Sequence, residues 1–302
     1  MNRFAPNQAV FALEEVCYSY PAGPLVLRDI NFSVQTRECV AVLGANASGK
    51  STLLHLLDGL YFPTQGSVAA FGRELTEESV ETPPFSREFR QQVGFLFQNS
   101  DAQLFCTTVE EELVFGPLQL RLPAEQVETR VLDTLRLFGI EHLRERSPQT
   151  LSGGEKKKVA LASIITCGPR VILADEPSAG LDPRTQQWLT EFVVLLKRSG
   201  VTLITASHDL SFVAETADRA LILSEDHRLI YDGPVRDALS DLDLLLSANL
   251  IHAHAHLHAG TVHVHPHLHE AGHDDDHGQP RRGDFGGSMR PRRADEGGPH
   301  NR

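Results

Sequence analysis

The sequence predicts an α/β protein with a parallel-sheet core, an inserted helical region and a tail of different composition. Three observations carry this. Short, wholly apolar runs alternate with stretches of helical periodicity. One such run leads through a loop of small residues straight into a helix. Composition then changes abruptly near Leu250. Strand, helix and strand in succession argue for parallel strands covered by helices on both faces.

The elements follow in order. Asp29-Ile30-Asn31-Phe32-Ser33-Val34 alternates as a half-buried strand does, whereas Val40-Ala41-Val42-Leu43 is continuous, as a strand buried on both faces must be. After the loop, Leu53, Leu54, Leu56, Leu57 and Leu60 recur at helical spacing. Val93–Phe97, Val171–Ala174 and Val201–Ala206 are further buried strands. Between Asp101 and Cys167 the signals are mostly helical and predict an inserted subdomain, about residues 101–167. Leu221–Leu223 and Leu229–Tyr231 flank Glu225-Asp226-His227 and predict a hairpin. Val235, Leu239, Leu242, Leu245, Leu246 and Leu250 predict one closing amphipathic helix, about residues 234–250. Residues 1–250 form the expected folded domain. Residues 251–302, rich in His, Gly, Pro, Asp and Arg, have few large apolar side chains to offset ordering entropy and are expected to be disordered.

Charge and cysteine usage narrow the function. Twenty-eight Lys and Arg stand against 40 Asp and Glu, for a net −12. The tail holds six Arg and seven acids, so the excess belongs to the first 250 residues. That balance argues against nucleic acid as a partner. Cys17, Cys39, Cys106 and Cys167 form no ligand pair or disulfide framework and fit a reducing cytosol. The N-terminal residues lack the apolar core of a signal peptide, and no apolar window is long enough to span a bilayer.

The strongest local signal is Gly44-Ala45-Asn46-Ala47-Ser48-Gly49-Lys50-Ser51-Thr52, a G-x-x-x-x-G-K-S match placed between a buried strand and a helix. Such a loop wraps backbone N–H groups around nucleotide phosphates. The helix N-terminus favours the anion, Lys50 reaches the outer phosphates and Ser51 offers a hydroxyl to Mg²⁺. Val171–Ala174 ends in Asp175 and Glu176. The first is expected to hold Mg²⁺, and the second to accept a proton from attacking water. Leu151-Ser152-Gly153-Gly154-Glu155 opens another helix and supplies a second anion-binding end. A nucleotide needs one loop, so the second end is expected to serve the nucleotide held by another copy.

Together with LADEP at 173–177, SAGLD at 178–182 and ITASHD at 204–209, these motifs resemble, in order and spacing, the ABC-type nucleotide-binding domain. The resemblance implies a P-loop NTPase with a RecA-like parallel-sheet core, an antiparallel β subdomain and the inserted helical subdomain. It implies ATP-binding roles for Gly44, Asn46, Ser48, Gly49, Lys50, Ser51 and Thr52, and for Ser152, Gly153 and Gly154. It further implies that Gln98 senses the metal and couples to a membrane partner, and that His208 contacts the γ-phosphate beside Glu176. Tyr20 would stack on adenine, and Asp182 would communicate across a dimer. Ala45 and Ala47 stand where Pro and Gly are frequent in the family, and Glu155 where Gln is common. Lys156-Lys157-Lys158 reads as a solvated helix face.

Within the family, Gln98–Phe105, Thr108–Glu112 and Val114–Pro117 resemble the energy-coupling-factor ATPases, most nearly the cobalt/nickel uptake group of the CbiO/NikO type. This implies a second ATPase subunit (a homodimer or a close relative), an integral membrane coupling subunit and a substrate-binding membrane subunit, with the chain peripheral on the cytoplasmic face. The tail adds His252, His254, His256 and His258, then His263, His265, His267 and His269, all at alternate positions. Imidazole suits Ni²⁺, Co²⁺, Zn²⁺ and Cu²⁺. The leading expectation is an ATPase powering nickel or cobalt uptake. Alternatives are a vitamin importer of the same class, a non-transport ABC protein, and a metal-storage protein.

Overall fold

The computed structural model describes residues 9–258 and 261–268, from residue 252 onward as backbone. Two sheets build the body. In the first, β1 (Ala9–Ser19), β2 (Leu25–Gln35), β4 (Gln65–Ala70) and β5 (Arg73–Glu74) pair antiparallel in the order β2-β1-β4-β5. In the second, β3 (Cys39–Gly44), β6 (Val93–Leu96), β7 (Val171–Asp175), β8 (Thr202–Ala206) and β9 (Arg219–Leu223) run parallel. β10 (Leu229–Pro234) closes one edge antiparallel, giving β10-β9-β3-β8-β7-β6.

The continuous apolar runs are explained by two cores. Cys39, Ala41 and Leu43 of β3 pack on one side, while Val40 and Val42 pack on the other. The second core also holds the antiparallel sheet and α1 (Lys50–Leu57), with Leu53, Leu54, Leu56 and Leu57 fully buried. α2 (Glu77–Glu81) and α3 (Phe85–Gln92) lead into β6. The first core contains the inserted helices α4 (Val109–Gln119), α5 (Ala124–Phe138) and α6 (Gly153–Cys167), with two short 3₁₀ turns between α5 and α6. α7 (Pro183–Arg198) and α8 (Leu210–Thr216) cover the same face.

The C-terminal part departs from expectation twice. The single closing helix is two short ones, α9 (Val235–Ser240) and α10 (Leu242–Ser247). Asp241 sits between them in an extended conformation and accepts the Leu244 N–H as an N-cap, which starts a second helix rather than continuing the first. The tail, expected to be disordered from residue 251, instead carries an antiparallel hairpin, β11 (Ile251–His258) and β12 (Thr261–Leu268). Its alternating residues have the period of a strand, and Ile251 is buried in the first core. Histidine 269 and the rest of the tail lie outside the described residues. No described helix is long and apolar enough to cross a membrane.

Candidate active site

The parallel sheet brings the predicted residues to the C-terminal ends of its strands, where open α/β sheets bind ligands. β8 lies between the loop strand and the acid strand, and its register ties them. Val42 stands opposite Ala206, and Ala206 stands opposite Asp175. Ser207 N–H donates to Val42 O, and Glu176 N–H donates to Ala206 O. Three motifs distant in sequence therefore meet on one edge.

Two glycines of the loop are fixed by space. A Cβ on Gly44 would lie 2.6 Å from Leu223 O, and one on Gly49 2.6 Å from Val26 O. Both have positive φ, at 150° and 109°. Ala47 adopts φ 64°, the left-handed region that glycine takes without penalty. Lys50 is buried and donates to Gly44 O at 2.9 Å and to Ala45 O at 3.0 Å. Burial lowers its pKa, against the opposing pull of Glu176 and Asp175. Its Nζ lies 3.9 Å from Glu176 Oε1. The ammonium is thus held by loop carbonyls in a place where incoming phosphate oxygens would be stronger acceptors.

Glu176 is buried and sits at φ 43°, a conformation costly for a non-glycine residue. Its Oε2 is 2.8 Å from His208 Nδ1. One carboxylate oxygen thus faces the loop lysine and the other the histidine. This is the geometry of a proton acceptor whose orientation is set by a second side chain.

Among the described residues, three buried side-chain atoms lack a hydrogen-bond partner: Ser48 Oγ, Asp175 Oδ1 and His55 Nδ1. Two of the three belong to this site. Buried polar atoms are seldom left unpaired, so the site fits a ligand of phosphate and a hard cation. The oxygen donors of Ser51 and Asp175 suit Mg²⁺ chemistry.

The remaining predicted residues fall around this centre. Tyr20 shares a hydrogen bond with Thr52 Oγ1 at 3.0 Å, packs edge-on to Tyr18 and Tyr61, and stays 40% exposed, so a ring is available beside the loop helix. Asn46 and Gln98 are exposed. Ser152 caps α6 in a reciprocal box with Glu155, whose carboxylate accepts the Ser152 N–H and hydroxyl at 2.8 Å each. Those bonds hold the Glu155 pKa down. A Cβ on Gly153 would meet nothing within 4 Å, while one on Gly154 would press to 2.8 Å from Thr185 Oγ1. Asp182 spends both carboxylate oxygens on α7, accepting from Arg184 N, Thr185 N and Thr185 Oγ1. Its local work is capping, and Thr185 links that cap to the Ser152–Gly154 end.

The lysine run corrects an expectation. It is not a solvated face: Lys157 is buried and donates to Gln98 O at 3.0 Å, Lys156 pairs with Asp101 at 2.6 Å, and Lys158 lies 4.8 Å over the Trp188 ring. Burial lowers the Lys157 pKa to about 8, partly opposed by Asp175. Lys157 therefore ties the Gln98 loop to the helix that Ser152 opens. The signal was in the sequence, since Lys157, Ala160, Leu161 and Ile164 form one helical stripe whose other members are apolar.

Comparisons with known proteins agree with this geometry. The family model described as ABC transporter matches residues 27–179. An ABC transporter ATP-binding protein of Methanosarcina acetivorans is 52% identical over 82% of this chain and 91% of its own length. The nickel import ATP-binding protein NikO of Rhodobacter capsulatus is 44% identical over 80% of this chain and 95% of its own. Among solved structures, CbiO1 of Clostridium perfringens, part of the CbiONQ transporter complex, superposes with a TM-score of 0.69 at 31% identity. That match covers 80% of this chain and 95% of the other. A phosphate loop, a buried acid pair and a histidine on one sheet edge, in a chain related along most of its length to such cassettes, make it a member of the ABC transporter family and an ABC-type ATPase.

Proposed function

We propose that this ATPase is the energy-supplying subunit of a membrane importer for a transition-metal cation, nickel or cobalt. The relation to a nickel-import ATPase along nearly that protein's full length carries the cargo reading. The likeness to a CbiONQ component supports the transporter class. The stretch after Gln98 supports a membrane-subunit contact. Phe105 is 63% exposed, Phe115 and Leu118 of α4 are exposed as well, and the Phe105 and Phe115 rings meet edge to face at 4.9 Å. Exposed apolar side chains in the stretch that follows Gln98 suit docking of an integral membrane subunit. The chain then works at the cytoplasmic face as a peripheral subunit.

Two ATP molecules are enclosed between two such chains, identical or closely related. Gly44–Thr52 cradles the phosphates, and Tyr20 stacks on the base. Ser152, Gly153 and Gly154 of the second chain complete the site, with Asp182 beside that junction. Ser51, Gln98 and Asp175 would hold Mg²⁺, which when bound neutralises charge on the phosphate oxygens. Glu176 accepts the proton of the attacking water, and His208 fixes the carboxylate's orientation and contacts the γ-phosphate. Uptake of radiolabelled nickel and cobalt is the test, in cells with and without this chain. Loss of nickel or cobalt uptake on deletion is expected. Unchanged metal uptake with lost vitamin uptake would overturn the cargo and leave the ATPase intact.

A further inference from the structure

β11 and β12 pair in a register that matches histidine with histidine: His252 with His267, His254 with His265, and His256 with His263. The intervening positions match small or apolar residues: Ile251 with Leu268, Ala253 with Pro266, Ala255 with Val264, and Leu257 with Val262. Alternate residues of a strand share a face and directly opposed residues share it too. Seven histidines, those three pairs and His258, therefore occupy one face of the ladder. A slip of one residue would oppose histidine to apolar residues throughout. The chain's alternation and the backbone register thus specify the same face independently.

We propose that this histidine face is a binding site for borderline divalent cations of the Zn²⁺, Co²⁺ and Ni²⁺ class. Opposed positions in such a ladder hold their Cβ atoms about 4.5–5.5 Å apart. A tetrahedral ion with nitrogens at about 2.0–2.1 Å sets its ligating atoms about 3.3 Å from one another. Two neighbouring pairs place four histidines on one face, the number of ligands a tetrahedral ion takes, and the remaining pair with His258 adds three, enough for about two ions in all. An isolated two-stranded ladder is marginal in water, and a cation bridging the strands fixes it.

The test uses the full chain, free of nucleotide and Mg²⁺, titrated with Co²⁺ and followed by visible absorption, with Zn²⁺ as competitor. The informative variant keeps composition constant: Ala253→His, His254→Ala, Ala255→His and His256→Ala together move two histidines to the other face. The parent is expected to bind about two Co²⁺ with the intense bands of tetrahedral cobalt, displaced by Zn²⁺. The exchange should lose at least tenfold in affinity and most of that intensity, while ATP binding by the core is unchanged. A parent without tetrahedral bands overturns the proposal, as does an exchanged chain that binds Co²⁺ as tightly with the same spectrum. A second pair of changes reads the ladder itself. His254→Ala and His265→Ala should be strongly non-additive in Co²⁺ affinity, and strict additivity overturns the cross-strand site.

Discussion

At Glu176 the requirements of folding and of chemistry conflict. A carboxylate buried at a positive φ is unfavourable on both counts, and it is held by Ala206 O, His208 and the nearby Lys50. Glu176→Gln keeps the shape and removes the proton acceptor. Hydrolysis by the purified variant should fall by about 10²–10⁴, the range general-base catalysis supplies, with ATP binding retained. Parent-rate hydrolysis would exclude Glu176 as the base. Ala47 makes the opposite case. Its φ of 64° costs an L-residue roughly 1–2 kcal/mol, and glycine returns about 0.4–1 of that through the freer unfolded chain. Ala47→Gly should therefore leave stability equal or raise it by up to about 1.6 kcal/mol, without loss of ATP binding. Gly49→Ala, which drives a methyl to 2.6 Å from Val26 O, should destabilise the nucleotide-free protein clearly. If the two changes shift the melting temperature alike, the loop is not held by these contacts.

At the scale of elements, α1 ends on Asp58, whose carboxylate is buried and bonded to Arg90 of α3 at 3.0 Å. Burial outweighs the guanidinium and pushes the Asp58 pKa from 3.8 up to about 6. The native state thus prefers the protonated acid. The group's contribution is fully present below about pH 4 and is lost as pH rises through about 6. The stability of the parent relative to Asp58→Asn should fall by roughly 2–3 kcal/mol between pH 4 and pH 8 in denaturant titrations. A pH-independent difference would show that Arg90 compensates the buried charge in full. Elements of this kind were unequally legible in the sequence. β3, β7 and β8 could be read as buried strands because both faces are apolar, and the phosphate loop because its glycines have no alternative. Lys157 is hard to tell from its neighbours in a run of three lysines, although its position continues an apolar stripe. The break in the closing helix is not legible because 3.6-residue spacing survives it at Asp241, where a local side-chain cap decides the boundary. The hairpin at 251–268 is masked by a composition poor in large apolar residues, although its two-residue period is plain in the sequence.

At the scale of the molecule, the proposed trans arrangement divides the residues of one chain between two half-sites. Lys50, Asp175, Glu176 and His208 converge on one sheet edge, while Ser152 and Gly153 are exposed at the start of α6 with N–H groups and a serine hydroxyl. Glu155 caps that end within the chain, so an incoming phosphate must take the Ser152 hydroxyl from a carboxylate of the same chain. If the two half-sites act in trans, defects placed in different halves should complement. Lys50→Ala disables the loop. Ser152→Arg blocks the capped end and gives up its N-cap, at about 1 kcal/mol. Each mutant homodimer then contains two damaged sites, but a mixed dimer contains one doubly damaged site and one intact site. Equal mixing should restore up to about a quarter of the parent ATPase rate: half the dimers are mixed, and each has one working site out of two. The measurement is steady-state ATP hydrolysis against mixing ratio, with mixed dimers verified by differential tagging. A bell-shaped recovery with its maximum at equal amounts supports the composite site. Verified mixed dimers no more active than either mutant alone would mean that each chain hydrolyses ATP with its own residues, or that one intact site never fires alone. A tandem-linked dimer carrying both changes on one half and none on the other separates these. Activity there without activity in the mixture would refute the trans arrangement, because shared halves leave one defect in each of the two sites, whereas a chain that uses only its own residues keeps one undamaged site.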